Sequence, residues 1–362
     1  MMGRWVPRDV EIGPGRSVGR GLLCGFLLLA LVETTLQVRA QWLTGQSVFT
    51  VIAGRQTFSR DAETGLRLLR PSATIRGQRA TMHTNRYGLR GADFEPHRGP
   101  GEKRVVLLGA STIMGTYASD DARTSSARLE QRLKGVWPNV RVINAGVAGL
   151  TVGNQVELFE RKLVPLGPDV LVWYPGINDF SCRPRTQKGA GAVRLPTPQA
   201  PAWLILRDLI VKNSAGLRPR HGASNSTLEP AVSLATLEAG VRTGVQAARA
   251  AGVPVLLVTS ARSYRSDMPP DQIAARAVTA LNARPCYSAV ELAAAGQEFD
   301  QLLRTVARDE HVALVDASSG IPAEPALFGD STHLSDPGED RLARLMFDAL
   351  IHDPDVRARL SP

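Results

Sequence analysis

From about residue 104 onward, short runs of β-branched and other apolar residues alternate with longer stretches in which apolar positions recur at spacings of three and four. The runs are 104–108 (RVVLL), 140–143 (VRVI), 170–174 (VLVWY), 254–259 (PVLLVT) and 312–315 (VALV). They predict five buried strands. The stretches near 123–134, 153–163, 234–251, 289–309 and 337–352 predict amphipathic helices. This alternation specifies an α/β fold, a three-layer α/β/α arrangement around a five-stranded parallel sheet, because the connections are long enough for the crossovers that parallel strands need. One connection is out of scale. The insertion 181–230 leaves the end of the third strand, with a middle (202–211, AWLILRDLIV) that predicts a helix and a stretch (218–227) that reads as loop. Chain leaving the carboxyl end of a strand surrounds the site in open α/β folds, so the insertion is expected either as a lid or as decoration.

The amino-terminal part follows a different pattern. Arg4, Arg8, Arg16 and Arg20 precede the apolar run 21–32 (GLLCGFLLLALV), which Glu33 and the mixed stretch 34–40 follow. Positive charge ahead of an apolar core is an export signal whose amino end stays in the cytoplasm. The reading adopted is an uncleaved signal anchor, in which 21–38 crosses the membrane with Glu33 as its one charge and Trp42 at the outer interface. Cleavage of a signal peptide after Ala40 is the alternative, and either outcome exports the remainder. The expected organisation is thus 1–40 as cytoplasmic amino terminus and anchor or signal, 41–100 as an extracytoplasmic prelude or stalk, and 101–362 as the main α/β domain carrying the insertion.

Composition narrows the class further. With 43% hydrophobic and 21% charged residues, the chain is neither disordered nor collagenous, and three Cys exclude a disulfide scaffold. The net charge is +9, but the basic residues are scattered and not interleaved with aromatics. No nucleic-acid partner is expected, and an anionic glycan or lipid would not be repelled.

Candidate chemistry lies at the strand ends. The first strand runs into Gly109-Ala110-Ser111-Thr112, a turn that can present the Ser111 hydroxyl to a cleft at the sheet's carboxyl edge. The second ends in Asn144-Ala145-Gly146-Val147-Ala148-Gly149, where glycines are expected to let the backbone approach a ligand. Neither turn has the GxGxxG spacing of a dinucleotide site. The third ends in Tyr174-Pro175-Gly176-Ile177-Asn178-Asp179, and an Asn there can aim its amide at a developing oxyanion. After the fifth, Gly329-Asp330-Ser331-Thr332-His333 puts a carboxylate three residues before a His, close enough to hold the imidazole in the tautomer that accepts a serine proton. His311 reads instead as a cation at a helix end.

Together, and in this order, the four blocks resemble the SGNH, or GDSL-like, hydrolase superfamily, over roughly residue 80 to the end. The stretch Asn85-Arg86-Tyr87-Gly88-Leu89-Arg90-Gly91 is similar to one that precedes the serine block in membrane-tethered members. The resemblance implies a flavodoxin-like sheet, Ser111 as nucleophile, His333 as base and Asp330 as its orienting partner. It also implies an oxyanion hole of Ser111, Gly149 and Asn178, with no cofactor and no metal. One departure matters: the usual GDS is Gly109-Ala110-Ser111 here, so whatever braces the serine turn must come from elsewhere.

The expected activity is hydrolysis of acyl esters, acetyl above all, on an envelope glycan or lipid. O-acyl transfer by the same residues, or a glycan-binding module on a degenerate site, are the alternatives. Cys182 and Cys286 both fall on loops at the carboxyl edge of the sheet, so a disulfide between them is expected as an alternative to two unpaired apolar residues. The Asn225-Ser226-Thr227 sequon reads as chance.

Overall fold

The computed structural model describes residues 14–44, 57–76, 80–185, 205–206, 210, 224–225 and 227–361. Arg4, Arg8 and most of 202–211 and 218–227 lie outside the described residues. The chain divides into two compact units, one of Met1–Gly54 with Arg194–Ser214 and one of Arg55–Val193 with Ala215–Pro362.

The first unit is built on α1, Pro14–Thr44. Within it Gly19–Trp42 has a mean hydropathy of 1.8 and is long and apolar enough to cross a membrane, with Leu22, Phe26, Leu29 and Trp42 all exposed. It is consistent with a signal anchor or a signal peptide. Its Glu33 is not left alone: the carboxylate accepts the Ile205 and Leu206 N–H groups at 2.9 and 2.8 Å, and the Gln37 side-chain amide. Part of the 181–230 insertion is therefore fastened to this helix through the one charge in its apolar stretch.

The second unit opens with two small antiparallel ladders, β1 (Phe58–Arg60) with β2 (Arg67–Leu69) and β3 (Thr74–Arg76) with β4 (Thr81–His83). The main sheet follows: β5 (Lys103–Gly109), β6 (Val140–Gly146), β7 (Val170–Tyr174), β10 (Val255–Val258) and β11 (Ala313–Val315), all parallel, in the order β6-β5-β7-β10-β11. Between β7 and β10 the short strands β8 (Cys182–Pro184) and β9 (Leu228–Pro230) pair antiparallel and close the base of the insertion.

These strands lack an exposed face because both sides carry apolar residues. Val106, Leu108, Leu171, Trp173 and Leu257 point into one layer, against Val241 and Val245 of helix Leu234–Ala250 and Phe299 and Leu303 of helix Ala289–Asp309. Val105, Leu107, Val170, Val172, Leu256 and Val258 point into the other, against Leu129 and Leu133 of helix Ser125–Leu133 and Leu342 and Met346 of helix Asp336–His352. The period of two along each strand sorts the core into two layers. Trp173 needs room on its side: a Cβ at Gly244 would meet the indole at 2.2 Å.

One predicted helix is not regular. The 153–163 pattern becomes an α-helix over Val152–Leu158, a π turn over Phe159–Leu163 and a 3-10 turn over Val164–Leu166. Pro165 offers no N–H to close the last turn, and the backbone rewinds ahead of it. Two short helices that periodicity did not predict, Pro270–Arg276 and Val278–Ala283, stand between β10 and the next long helix.

The strand order reverses direction at β5. The connections from β5 and β7 leave the sheet toward opposite sides, and the crevice between their carboxyl ends is where an open α/β sheet binds its ligand.

Candidate active site

Ser111 begins a one-turn helix, Ser111–Met114, directly after β5. Its hydroxyl lies 2.7 Å from Nε2 of His333, and Nδ1 of His333 lies 2.8 Å from Oδ2 of Asp330. With a carboxylate facing Nδ1, the proton belongs on that nitrogen and Nε2 keeps a lone pair for the serine proton. The loop that achieves this folds on itself locally. Asp330 Oδ1 accepts the N–H groups of Thr332 and His333, each at 2.9 Å, and Gly329 N donates to the His333 carbonyl at 2.8 Å. An Asx turn of this kind is what the spacing of three requires.

Two further contacts fix the imidazole. Tyr117 stacks on it, with centroids 5.7 Å apart, and a side chain at position 329 would collide with that ring, which explains the glycine. The buried Ser331 Oγ accepts Thr279 N at 3.0 Å, docking the His333 loop onto the start of helix Val278–Ala283. Burial pushes the Asp330 carboxyl up, but the hydrogen bond and charge of His333 and the two backbone donors outweigh it and leave Asp330 below its ordinary value.

The absent Asp of the serine turn is replaced by two side chains from other elements. Asn144, buried at the end of β6, donates to the Ile113 carbonyl at 2.8 Å. Arg90 donates to the carbonyls of Met114 and Gly115 at 2.9 and 2.6 Å and pairs with Asp121 at 2.7 Å. Gly146 corrects one expectation: it approaches protein and not ligand. A Cβ there would stand 2.1 Å from Met114 N, so the glycine is needed to pack β6 under the serine helix.

Asn178 lines the same cleft as Ser111. Gly149 does not line it, but has φ +89° and open space around its Cα, and the Asn178 amide donates to the carbonyl of the next residue, Leu150, at 3.1 Å. Asp179 then accepts Val152 N at 3.0 and 3.2 Å, so two consecutive side chains lace the ends of β6 and β7 together. Burial raises the Asp179 carboxyl to about 6 against that N–H. Among the described residues the N–H groups of Ser111 and Gly149 are not taken by backbone carbonyls. The sequence contained Asp179 and Asn144 inside its quoted blocks without a role for either; their position beside Asn178 and at the end of β6 is the signal.

Residues 107–346 match the GDSL-like Lipase/Acylhydrolase family. The chain belongs to this family. It is accordingly an SGNH serine hydrolase that acts on esters, and its five-stranded sheet is the family's α/β/α fold. No curated protein matches the chain. Among solved structures it is similar to the lipase/acylhydrolase from Enterococcus faecalis, with 17% identity over 68% of this chain and 94% of the other and a TM-score of 0.43. It is also similar to an acetylxylan esterase from Geobacillus stearothermophilus, with 17% identity over 71% and 97% and a TM-score of 0.44.

The acylhydrolase cleft itself is small, about 150 Å³. Ala110, Gly176, Ala261, Ala280 and Ala283 line it beside Ser111 and His333. Its far wall, from Thr279 to Arg284, comes from the helix that the sequence did not reveal. Cys182 and Cys286 are disulfide-bonded, with Cα atoms 5.7 Å apart.

Proposed function

We propose that this acylhydrolase removes a short acyl group, such as acetyl, from an ester of an envelope glycan or lipid, working outside the cytoplasm behind its amino-terminal segment. The observation that carries the reading is the continuous chain from Asp330 through His333 to Ser111, at 2.8 and 2.7 Å. Ser111 Oγ attacks the ester carbonyl as His333 Nε2 takes its proton, and Asp330 stabilises the imidazolium. The N–H groups of Ser111 and Gly149 and the Asn178 amide hold the tetrahedral oxyanion. His333 returns the proton to the leaving alcohol, then activates the water that releases the acid. The alanine-lined cleft favours small acyl groups over long chains. Incubation with acetylated sugars and with aryl esters of increasing chain length tests this: turnover falling with chain length supports it, and no turnover of any ester overturns it. Adding a sugar acceptor shows whether the acyl group goes to water, as proposed, or to a hydroxyl.

A further inference from the structure

Arg284 follows helix Val278–Ala283 and lines the cleft while remaining only 8% exposed. Its Nε and Nη2 both donate to the Ile177 carbonyl, at 3.1 and 2.8 Å, and Nη1 reaches the Ala280 carbonyl at 3.5 Å. Every acceptor is a neutral carbonyl. Among the described residues no carboxylate lies within ion-pair distance, and Asp179, which attracts it from farther off, is already committed to Val152 N. Burial pulls the guanidinium below its ordinary pKa, the sign of a charge whose lost hydration is not replaced. Arg262 provides the contrast. It lines the same cleft at similar depth but is paired with Asp300 at 2.5 Å. The lining holds these two arginines and no Asp or Glu.

A buried cation without a counter-ion is costly, and the cost falls when an anion enters. Of the five guanidinium N–H groups, the three contacts above leave two without a partner among the described residues, one on each of Nη1 and Nη2, and a carboxylate entering the cleft can accept from them.

We propose that Arg284 makes this cleft selective for esters that carry a carboxylate close to the reacting carbonyl. The inference rests on the esterase reading of the site and narrows its substrate to an acidic one. The carboxylate can belong to the acyl group, as in a half-ester of a dicarboxylic acid, or to the alcohol, as in an acylated uronate.

Two pairs of esters separate these sources. Monoethyl succinate is compared with the neutral ethyl levulinate, and an O-acetylated methyl glucuronoside with the matching methyl glucoside, using the full chain. The expected result is a kcat/KM for the acidic member of one pair about tenfold or more above its neutral partner. The pair that shows it identifies the source. In Arg284→Gln the ratio should collapse toward one, and Arg284→Lys should recover part of it. A ratio cancels any loss from disturbing the Ile177 loop, and the wild-type ratio needs no variant to fold. Equal turnover within both pairs, or a ratio unchanged in Arg284→Gln, overturns the selectivity and leaves the esterase standing. No turnover together with no covalent labelling of Ser111 by a fluorophosphonate overturns the esterase reading, and the selectivity with it.

Discussion

Asn144 reaches from the end of β6 to donate its side-chain amide to the Ile113 carbonyl, two residues beyond Ser111, at 2.8 Å. The same amide donates to Ser126 Oγ at 2.9 Å, and its oxygen accepts Gly146 N at 3.0 Å. All of these groups are buried. Truncation in Asn144→Ala would strand the Ile113 carbonyl and Gly146 N, at a cost of about 1–3 kcal/mol each where no water enters, while Ser126 Oγ keeps Thr124 Oγ1 at 3.0 Å. We expect a lower melting temperature and, at a temperature where the variant is folded, a fall in kcat larger than the change in KM. Arg90→Leu should act in the same direction through the Met114 and Gly115 carbonyls. A melting curve and kcat equal to wild type in both variants would show that the serine turn needs neither brace.

The proposed roles of Ser111 and Asn178 differ in kind, so their substitutions should differ in degree. Ser111→Ala should abolish covalent labelling and turnover. Asn178→Ala removes one of three oxyanion donors and should lower kcat by ~100-fold or more while Ser111 still reacts. It also takes one of two donors from the Leu150 carbonyl, which keeps Gln155 Nε2 at 3.2 Å, so part of the loss will come from the Gly149 loop. His333→Ala should be nearly as severe as loss of the serine, since residues that act as a unit are not additive, and Asp330→Asn should keep some activity. Rapid labelling in Ser111→Ala would remove the assignment.

The parts of this architecture that were legible in the sequence are those that depend on local chemistry. Strands such as 170–174 announce themselves because burial on both faces demands an unbroken apolar run, and Asp330 with His333 announces itself because an Asx turn needs only three residues. Arg284 was not legible. One arginine among many becomes distinctive only when the fold has buried it without a carboxylate, and its helix, Val278–Ala283, is too short to show a period. The bracing of Ser111 was foreseen as a need but not located, because Arg90 and Asn144 reach the turn from other elements.

Glu339 gives the second unit a pH dependence. It is wholly buried in the first turns of helix Asp336–His352, where Oε2 accepts Ser125 N at 2.7 Å and Oε1 has no partner among the described residues. Burial raises its carboxyl to about 7, against the Ser125 hydrogen bonds and the charge of Arg90. An unfolded Glu ionises near 4.3. Below that value both states hold the proton and nothing is lost. Between about 4 and about 7 the unfolded state releases a proton that the folded state keeps, so stability falls as pH rises, then levels off. Glu339→Gln keeps an acceptor for Ser125 N and carries no charge. It should match or trail wild type near pH 4 and melt at a higher temperature near pH 8, and parallel melting curves across this range would contradict the account.

The disulfide should couple the insertion to the site. Cys182 lies four residues after Asn178, Cys286 two after Arg284, and the bond joins them across 104 residues of chain just where β8 and β9 close the insertion. In the chain-entropy treatment a loop of that length stabilises by on the order of 4–5 kcal/mol, so reduction should lower the melting temperature by about ten degrees. It should also raise KM or lower kcat, because the Ile177–Asn178 turn loses a covalent neighbour on one side. Cys182→Ser with Cys286→Ser should reproduce both effects and be indifferent to reductant. Alkylation of the denatured protein without reductant, followed by mass spectrometry, should leave Cys182 and Cys286 as one linked peptide pair. Alkylated Cys182 and Cys286 in protein recovered from an oxidising compartment would mean that the bond does not form there.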